Sequence, residues 1–376
     1  MLEGIHLTLM IGPAVPVPAP REVLDALTGV QVVVTSGETT SGFELTFALD
    51  KNSPLHTLFF LTGDAMIPVI RVIIVVTVNG VPEVLMDGVM TQHQVSHGSQ
   101  TGASTLTVKG KDLTALMGLI DFSGIPYPAM PDFARVALVL AKYAVLGVIP
   151  KVIPSVLIDV PIPTDRIPTH KGKDLGYVKE LADDVGYSFY LEPGPQPGMS
   201  FAYWGPELRV GEPQPALNAN MDGHTNVNDV SFTFDTESKV LPIVMIQNPL
   251  TKVPIPIPIP DITPLSPPLG LIPPIPKNFE IINESAKYSP VQAALIGLAK
   301  AAKTSDAVTA KGSLDVTRYG RTLKPRRLVG LRGVGTAFDG LYFVKSVTHT
   351  LKRGEYKQSF TLVRNGLIST LAKVPA

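Results

Sequence analysis

The 376 residues are enough for two or three domains, and 45% hydrophobic content is enough to give each a core, which excludes a disordered chain. Lys plus Arg and Asp plus Glu balance at 32 each, so no global field draws the chain to nucleic acid or an anionic membrane. With no cysteine, disulfides, thiolate metal sites and thiol catalysis are excluded, and a cytosolic life is the default.

The opening "MLEGIHLTLMIGPAVPVPAP" has Glu3 where an export signal needs Lys or Arg, and prolines from Pro13 onward break its apolar run, so no export signal is expected. "IPVIRVIIVVTV" and "ARVALVLAKYAVLGVIPKVI" are interrupted by Arg71 and by Arg135, Lys142 and Lys151. Neither reaches the roughly 18 uninterrupted apolar residues of a membrane span.

Residues 1–115 read as a first β-domain. "VQVVVTSGETTSGFELTFAL" gives two strands around a turn, and "IRVIIVVTVNGVPEVLMDGVM" gives two more around Asn79-Gly80, a two-residue hairpin signal. "STLTVKG" adds another, and the spacing suits either a compact barrel or a sandwich.

Residues 116–225 read as a small α+β unit. "MPDFARVALVLAKYAVLGV" is an apolar helix with a narrow polar stripe of Asp132, Arg135 and Lys142. "HKGKDLGYVKELADDVG" is a second helix that stops at Gly186, and the strands "YSFYLEPG" and "MSFAYWG" follow.

Residues 226–376 read as a second β-domain. It begins with "VNDVSFTFDTES" and "VLPIVMIQN", is interrupted over about 249–308, and ends in the hairpin "LYFVKSVTHTL" and "YKQSFTLVR" around "KRGE". The interruption contains a helix-like "SPVQAALIGLAKAAKTS" and a stretch in which Pro254, Pro256, Pro258 and Pro260 alternate with Val253, Ile255, Ile257 and Ile259. In an extended strand that spacing removes donors from one edge only, leaving a segment able to join one sheet without templating another strand. A polyproline II rod fits the same residues. Either form predicts an arm that packs against another part of the assembly rather than waving free.

The C-terminal segment "GVGTAFDGLYFVKSVTHTLKRGEYKQSFTLVRNG" resembles the closing segment of the late control protein D family, which includes phage baseplate hubs and the hub part of type VI secretion spike proteins. The residues that carry the resemblance are Gly333, Gly335, Asp339, Gly340, Tyr342, Val344, Val347, His349, Tyr356, Phe360, Leu362 and Arg364. The helix and aromatic strand of "DLGYVKELADDVGYSFYLEPG" and the preceding "FARVALVLAKYAVLGV" agree in order. The resemblance implies two tube-like β-barrel domains flanking an α+β domain. It further implies a homotrimer that adapts a hexameric inner tube to a trimeric spike, with baseplate components as further partners. The chain ends without a needle, so the spike is expected to be a separate polypeptide. Assembly in the cytoplasm and residence in a phage tail or tail-like particle follow.

Chemistry has little foothold. His93 and His97 in "HQVSH" have metal-pair spacing but sit in a strand-and-turn context with no third ligand. His349 shares a strand face with Phe343 and Val347 and reads as a packed histidine. "GLRGVG" lacks the lysine and helix of a phosphate loop, and "NANMDGHTNVND" does not fit a calcium loop. No catalytic residue, cofactor or metal is assigned. The alternatives are a tail-borne cell-wall hydrolase, needing paired carboxylates or a His-rich cluster, and an adhesive tail protein, needing fibre-like repeats.

Overall fold

The computed structural model describes residues 4–13, 15–37, 39–49, 55, 69–97, 104–155, 158–164, 166–237, 239–247, 254–258, 267–282, 297–298, 301 and 306–371. The mainly β, α+β fold expected from the sequence is the fold observed.

The first unit contains β1 (Ile5–Gly12), β2 (Val17–Pro18), β3 (Leu27–Thr35), β4 (Gly42–Ala48), β5 (Arg71–Val78), β6 (Val81–Ser96) and β7 (Thr105–Asp112). Asn79 and Gly80 take φ of 50° and 82°, so a two-residue turn links Val78 to Val81 and fixes the β5–β6 register. The middle unit packs β8 (Val148–Val152), β10 (Ser200–Gly205) and β9 (Ser188–Pro193), in that spatial order, against helices Asp132–Ala141 and Asp174–Val185. Gly147 and Gly186, at φ 79° and 71°, end the two helical stretches in left-handed caps.

β11 (Gln214–Asn218) and β12 (Val227–Phe234) open the second β unit. An excursion then contributes β13 (Val240–Gln247), β14 (Pro254–Pro258), β15 (Gly270–Ile272) and β16 (Asn278–Ile282). The unit resumes with β17 (Val308–Asp315), β18 (Leu328–Arg332), β19 (Gly340–Lys352), β20 (Glu355–Arg364) and β21 (Leu367–Ser369). β13, read from sequence as part of the main sheet, lies instead in a separate sheet of order β14-β13-β16. Of the helix-like stretch 289–305, only 297–298 and 301 are described.

The first unit orders its strands β1-β5-β6-β7-β4-β3, and the second β11-β18-β19-β20-β17-β12. The first, third and remaining strands correspond in chain order too, so the chain contains one topology twice. One departure is polarity: β1 runs antiparallel to β5, and β11 parallel to β18. The units are joined by antiparallel pairing of β3 with the second half of β19, from Ser346 opposite Thr35 to Lys352 opposite Gly29. Pairing among the described residues therefore forms one open sheet that branches at β19, which pairs with β18, β20 and β3, rather than two closed rings. One core runs beneath both units, including Val32, Leu45, Phe47, Val72, Val329, Tyr342, Val347 and Phe360.

Candidate assembly surfaces and the joints that set them

Two arginines, Arg71 buried and Arg326 half-buried, join the parts to one another. Arg71 on β5 forms a bidentate pair with Asp87 on β6, both distances 2.7 Å, and also donates to the carbonyls of Leu146 and Gly198 in the middle unit. Fork-to-carboxylate geometry orients the guanidinium, which can then satisfy two carbonyls of another unit. Arg326 acts at the meeting point of all three units. It donates to the Thr35 carbonyl through Nε at 2.9 Å and through Nη2, and lies 3.8 Å from the Tyr190 ring centroid. Its φ of 64° is a conformation that side-chain-bearing residues adopt at a cost, held here by these contacts. Asn79 donates to the Gly320 carbonyl at 2.9 Å, and Glu83 takes a hydrogen bond from Thr322 and an ion pair from Lys324.

The family-motif residues lie in the core and its turns. Gly333 has φ 79°, and a Cβ there would meet the Ala219 carbonyl oxygen at 1.9 Å; Gly340 has φ 144°. Asp339 accepts from the Val334 N–H at 2.9 Å, closing the turn before β19. Arg364, fully buried, donates to the carbonyls of Asp339 and Ala337 and lies 4.6 Å from the Tyr342 ring, whose hydroxyl donates to Phe338 O. Val344 and Phe360 pack in the shared core. His349 Nδ1 lies 2.7 Å from the Tyr356 hydroxyl and 3.3 Å from Gln358 Nε2; burial pushes its pKa down to about 3, so the ring is neutral. Of the proline-rich residues, Val253, Ile259 and Pro260 lie outside the described residues, and Pro254, Ile255, Pro256, Ile257 and Pro258 form β14.

Among the described residues β14 pairs with β13 alone, and since its prolines have no N–H, Ile255 and Ile257 supply every donor that β14 brings to that pairing. The outer edge is left without donors. Phe279 and Ile281 on β16 are 65% and 52% exposed, so this small sheet also presents an apolar face.

A polar cluster the sequence reading missed holds the middle unit. Asp174, fully buried, accepts from Lys142 Nζ at 2.8 Å and from the Tyr143 hydroxyl at 2.7 Å. His170 Nε2 is 3.2 Å from Asp174 Oδ1 but outside hydrogen-bond alignment, while its Nδ1 lies 3.0 Å from the Tyr127 hydroxyl. Burial lowers the His170 pKa. The i, i+4 spacing of His170 and Asp174 was the available signal, obscured because it straddles the loop before the helix. Asp174 and His170 are closed to solvent while the Lys142 side chain reaches it, and the cluster ties that helix to the one before it.

A cleft of about 420 Å³ between the middle unit and the sheet is lined by Glu83, Lys151, Glu192, Lys324, Arg326, Arg327 and His349, with charges of both signs. Among the described residues, no three His, Asp or Glu side chains gather as a metal site, and His93 and His97 lie on and just beyond β6. No described helix is long and apolar enough to cross a membrane.

No family model and no curated protein matches the sequence. Solved structures do. The tail protein of Neisseria meningitidis MC58 matches at a TM-score of 0.64 and 14% identity, over 97% of this chain and 98% of that one. The 43 kDa tail protein of prophage MuSo2 from Shewanella oneidensis matches at 0.59 and 13%, over 96% and 98%. A chain of the lidded Francisella PdpA–VgrG complex matches at 0.62 and 9%, over 100% of this chain and 55% of that one. These likenesses agree with the resemblance carried by the C-terminal segment: the chain has the fold of phage tail proteins, shared with a chain of a VgrG complex.

Proposed function

We propose that this chain is a structural hub of a phage tail or tail-like injection particle, three copies of which join a hexameric inner tube to a separate trimeric spike. The observation that carries this reading is the duplicated β unit. One chain holds two copies of one strand order fused into a single sheet, so three chains would present six similar units to a six-fold tube and three equivalent positions to a spike. Whole-chain likeness to tail proteins supports the same role. The chain assembles in the cytoplasm, takes baseplate components as further partners and catalyses no reaction; its proline-rich arm, Val253 to Pro260, docks on a neighbour. Mass measurement of the purified protein should find three copies, and co-purification should recover tube protein. A stable monomer that never associates with tube protein overturns the reading, and wall-degrading activity in zymography would favour the hydrolase alternative.

A further inference from the structure

The two β units make one connection in different ways. β6 bulges between Met90 and Gln92 against β7, and β19 between Val344 and Ser346 against β20, so Gln92 matches Ser346 and the β5–β6 hairpin matches β18–β19. In the second unit residues 333–339 link the strands, and Asp339 closes that link by accepting from the Val334 N–H. In the first, Asn79 and Gly80 link them alone, in the left-handed conformations such a turn needs. Both are exposed, and a Cβ at Gly80 would meet nothing within 4 Å. The Gly80 N–H lies outside the ladder and makes no hydrogen bond among the described residues.

Asparagine is chemically labile, most of all before glycine, where no Cβ shields the following nitrogen from the side-chain amide. The chain has this dipeptide twice, at Asn79-Gly80 and at Asn365-Gly366. The second is locked. Asn365 Oδ1 accepts from the N–H groups of Leu269 and Gly270 at 2.8 and 3.0 Å, and Gly366 is packed so closely that a Cβ would lie 2.5 Å from the Ile272 carbonyl oxygen. Its peptide plane has no room to swing. Asn79 is held only by Nδ2, which donates to the Gly320 carbonyl at 2.9 Å, and by its N–H, which donates to the Gly4 carbonyl at 2.9 Å.

We propose that Asn79 is a self-modification site, at which loss of the side-chain amide releases a joint between the first and second β units. When the turn opens, the Gly80 nitrogen gives its proton to water and bonds to Asn79 Cγ. The Cγ–Nδ2 bond then breaks, and ammonia leaves with a proton returned by water, closing a cyclic imide. Water adds at either imide carbonyl and breaks its bond to the Gly80 nitrogen or to the Asn79 side-chain end of the ring, giving an isoaspartyl or an aspartyl residue. Overall water enters and ammonia leaves, with no oxidation or reduction. Either product replaces an amide donor by a carboxylate that only accepts, so the Gly320 carbonyl beyond the short helix Val316–Tyr319 loses its donor and faces an anion. The isoaspartyl form also routes the backbone through Cβ and Cγ, lengthening a turn whose two residues set the β5–β6 register.

The purified protein, folded or unfolded in urea, is held in mildly alkaline buffer and followed by peptide mass and isoaspartyl content. In the folded chain Asn79 should convert while Asn365 keeps its amide, and in the unfolded chain both should convert. Equal conversion of the two in the folded chain overturns the site. So does an intact Asn79 in the folded chain once the unfolded chain has converted. N79D copies one product, and hydrogen exchange in residues 316–324 should be faster in it than in the parent. Unchanged exchange there overturns the release of the joint.

Discussion

The first and second β units share a backbone plan and place their buried polar groups at different points of it. Where the first unit has Arg71 reaching diagonally across the strands to Asp87, the matched positions of the second are Leu328 and Leu341, which lie on the same diagonal. Conversely, the second unit buries His349 and Gln358 where the first has Val95 and Leu106. The difference follows what each unit must hold. Arg71 faces carbonyls of the middle unit and needs a counter-ion to be there, whereas Leu328 and Leu341 pack with Leu269 of the excursion, where only apolar contact is required. Backbone topology is what the repeat preserves, and each polar group marks the local neighbour.

The largest effect is expected where the first unit departs from the second. Asp87→Ala leaves the Arg71 guanidinium buried with two carbonyls and no counter-charge, since the two side chains are 0% and 8% exposed. Removing one partner of a buried pair costs about 3 to 5 kcal/mol. Urea denaturation should show the loss, and the double variant Arg71→Leu with Asp87→Leu, copying the second unit, should recover part of it. Full recovery is not expected, because the Leu146 and Gly198 carbonyls would lose their donor.

The second unit's departure should appear as pH dependence. In the unfolded chain His349 takes up a proton below about 6.5, and in the folded chain only near 3. Between those values the unfolded state binds more protons, so stability falls as pH drops, by up to about 1.4 kcal/mol per pH unit. Replacing His349 by Val and Tyr356 by Phe makes this corner resemble the first unit and leaves no stranded hydroxyl. The variant's stability should fall less steeply than the parent's between pH 6 and pH 4, measured as urea midpoints; parallel profiles would show that His349 is not held neutral.

Local features of this fold were legible in the sequence and distant ones were not. Asn79-Gly80 announced its hairpin because few residue pairs tolerate two positive φ values, and Gly186 announced the end of its helix for the same reason. The β3–β19 joint has no such signature, since the pairing of strands more than three hundred residues apart leaves each with an ordinary alternating pattern. β13 was assigned to the wrong sheet because "VLPIVMIQN" is apolar enough for either. Arg71 looked like an interruption of an apolar run, and its role became visible only once β6 brought Asp87 beside it. The alternating prolines allowed a one-sided strand or a polyproline II rod, and the described part of the stretch, Pro254–Pro258, is the strand.

The smallest effect should come from a place where the units differ at the surface. Glu44 on β4 and Lys109 on β7 form a cross-strand pair 3.1 Å apart, with side chains 37% and 48% exposed. The matched positions of the second unit are Lys311 and Thr361, which lack the opposite charge yet occupy the same ladder. An exposed pair gains little Coulomb energy in water and loses side-chain entropy, so Lys109→Thr should change stability by no more than about 0.5 kcal/mol. That small difference should shrink as salt is raised toward 1 M, where the screening length falls to about 3 Å. A salt-insensitive loss of more than about 1 kcal/mol would instead mean that the Lys109 stem contributes packing that the second unit obtains from Thr361.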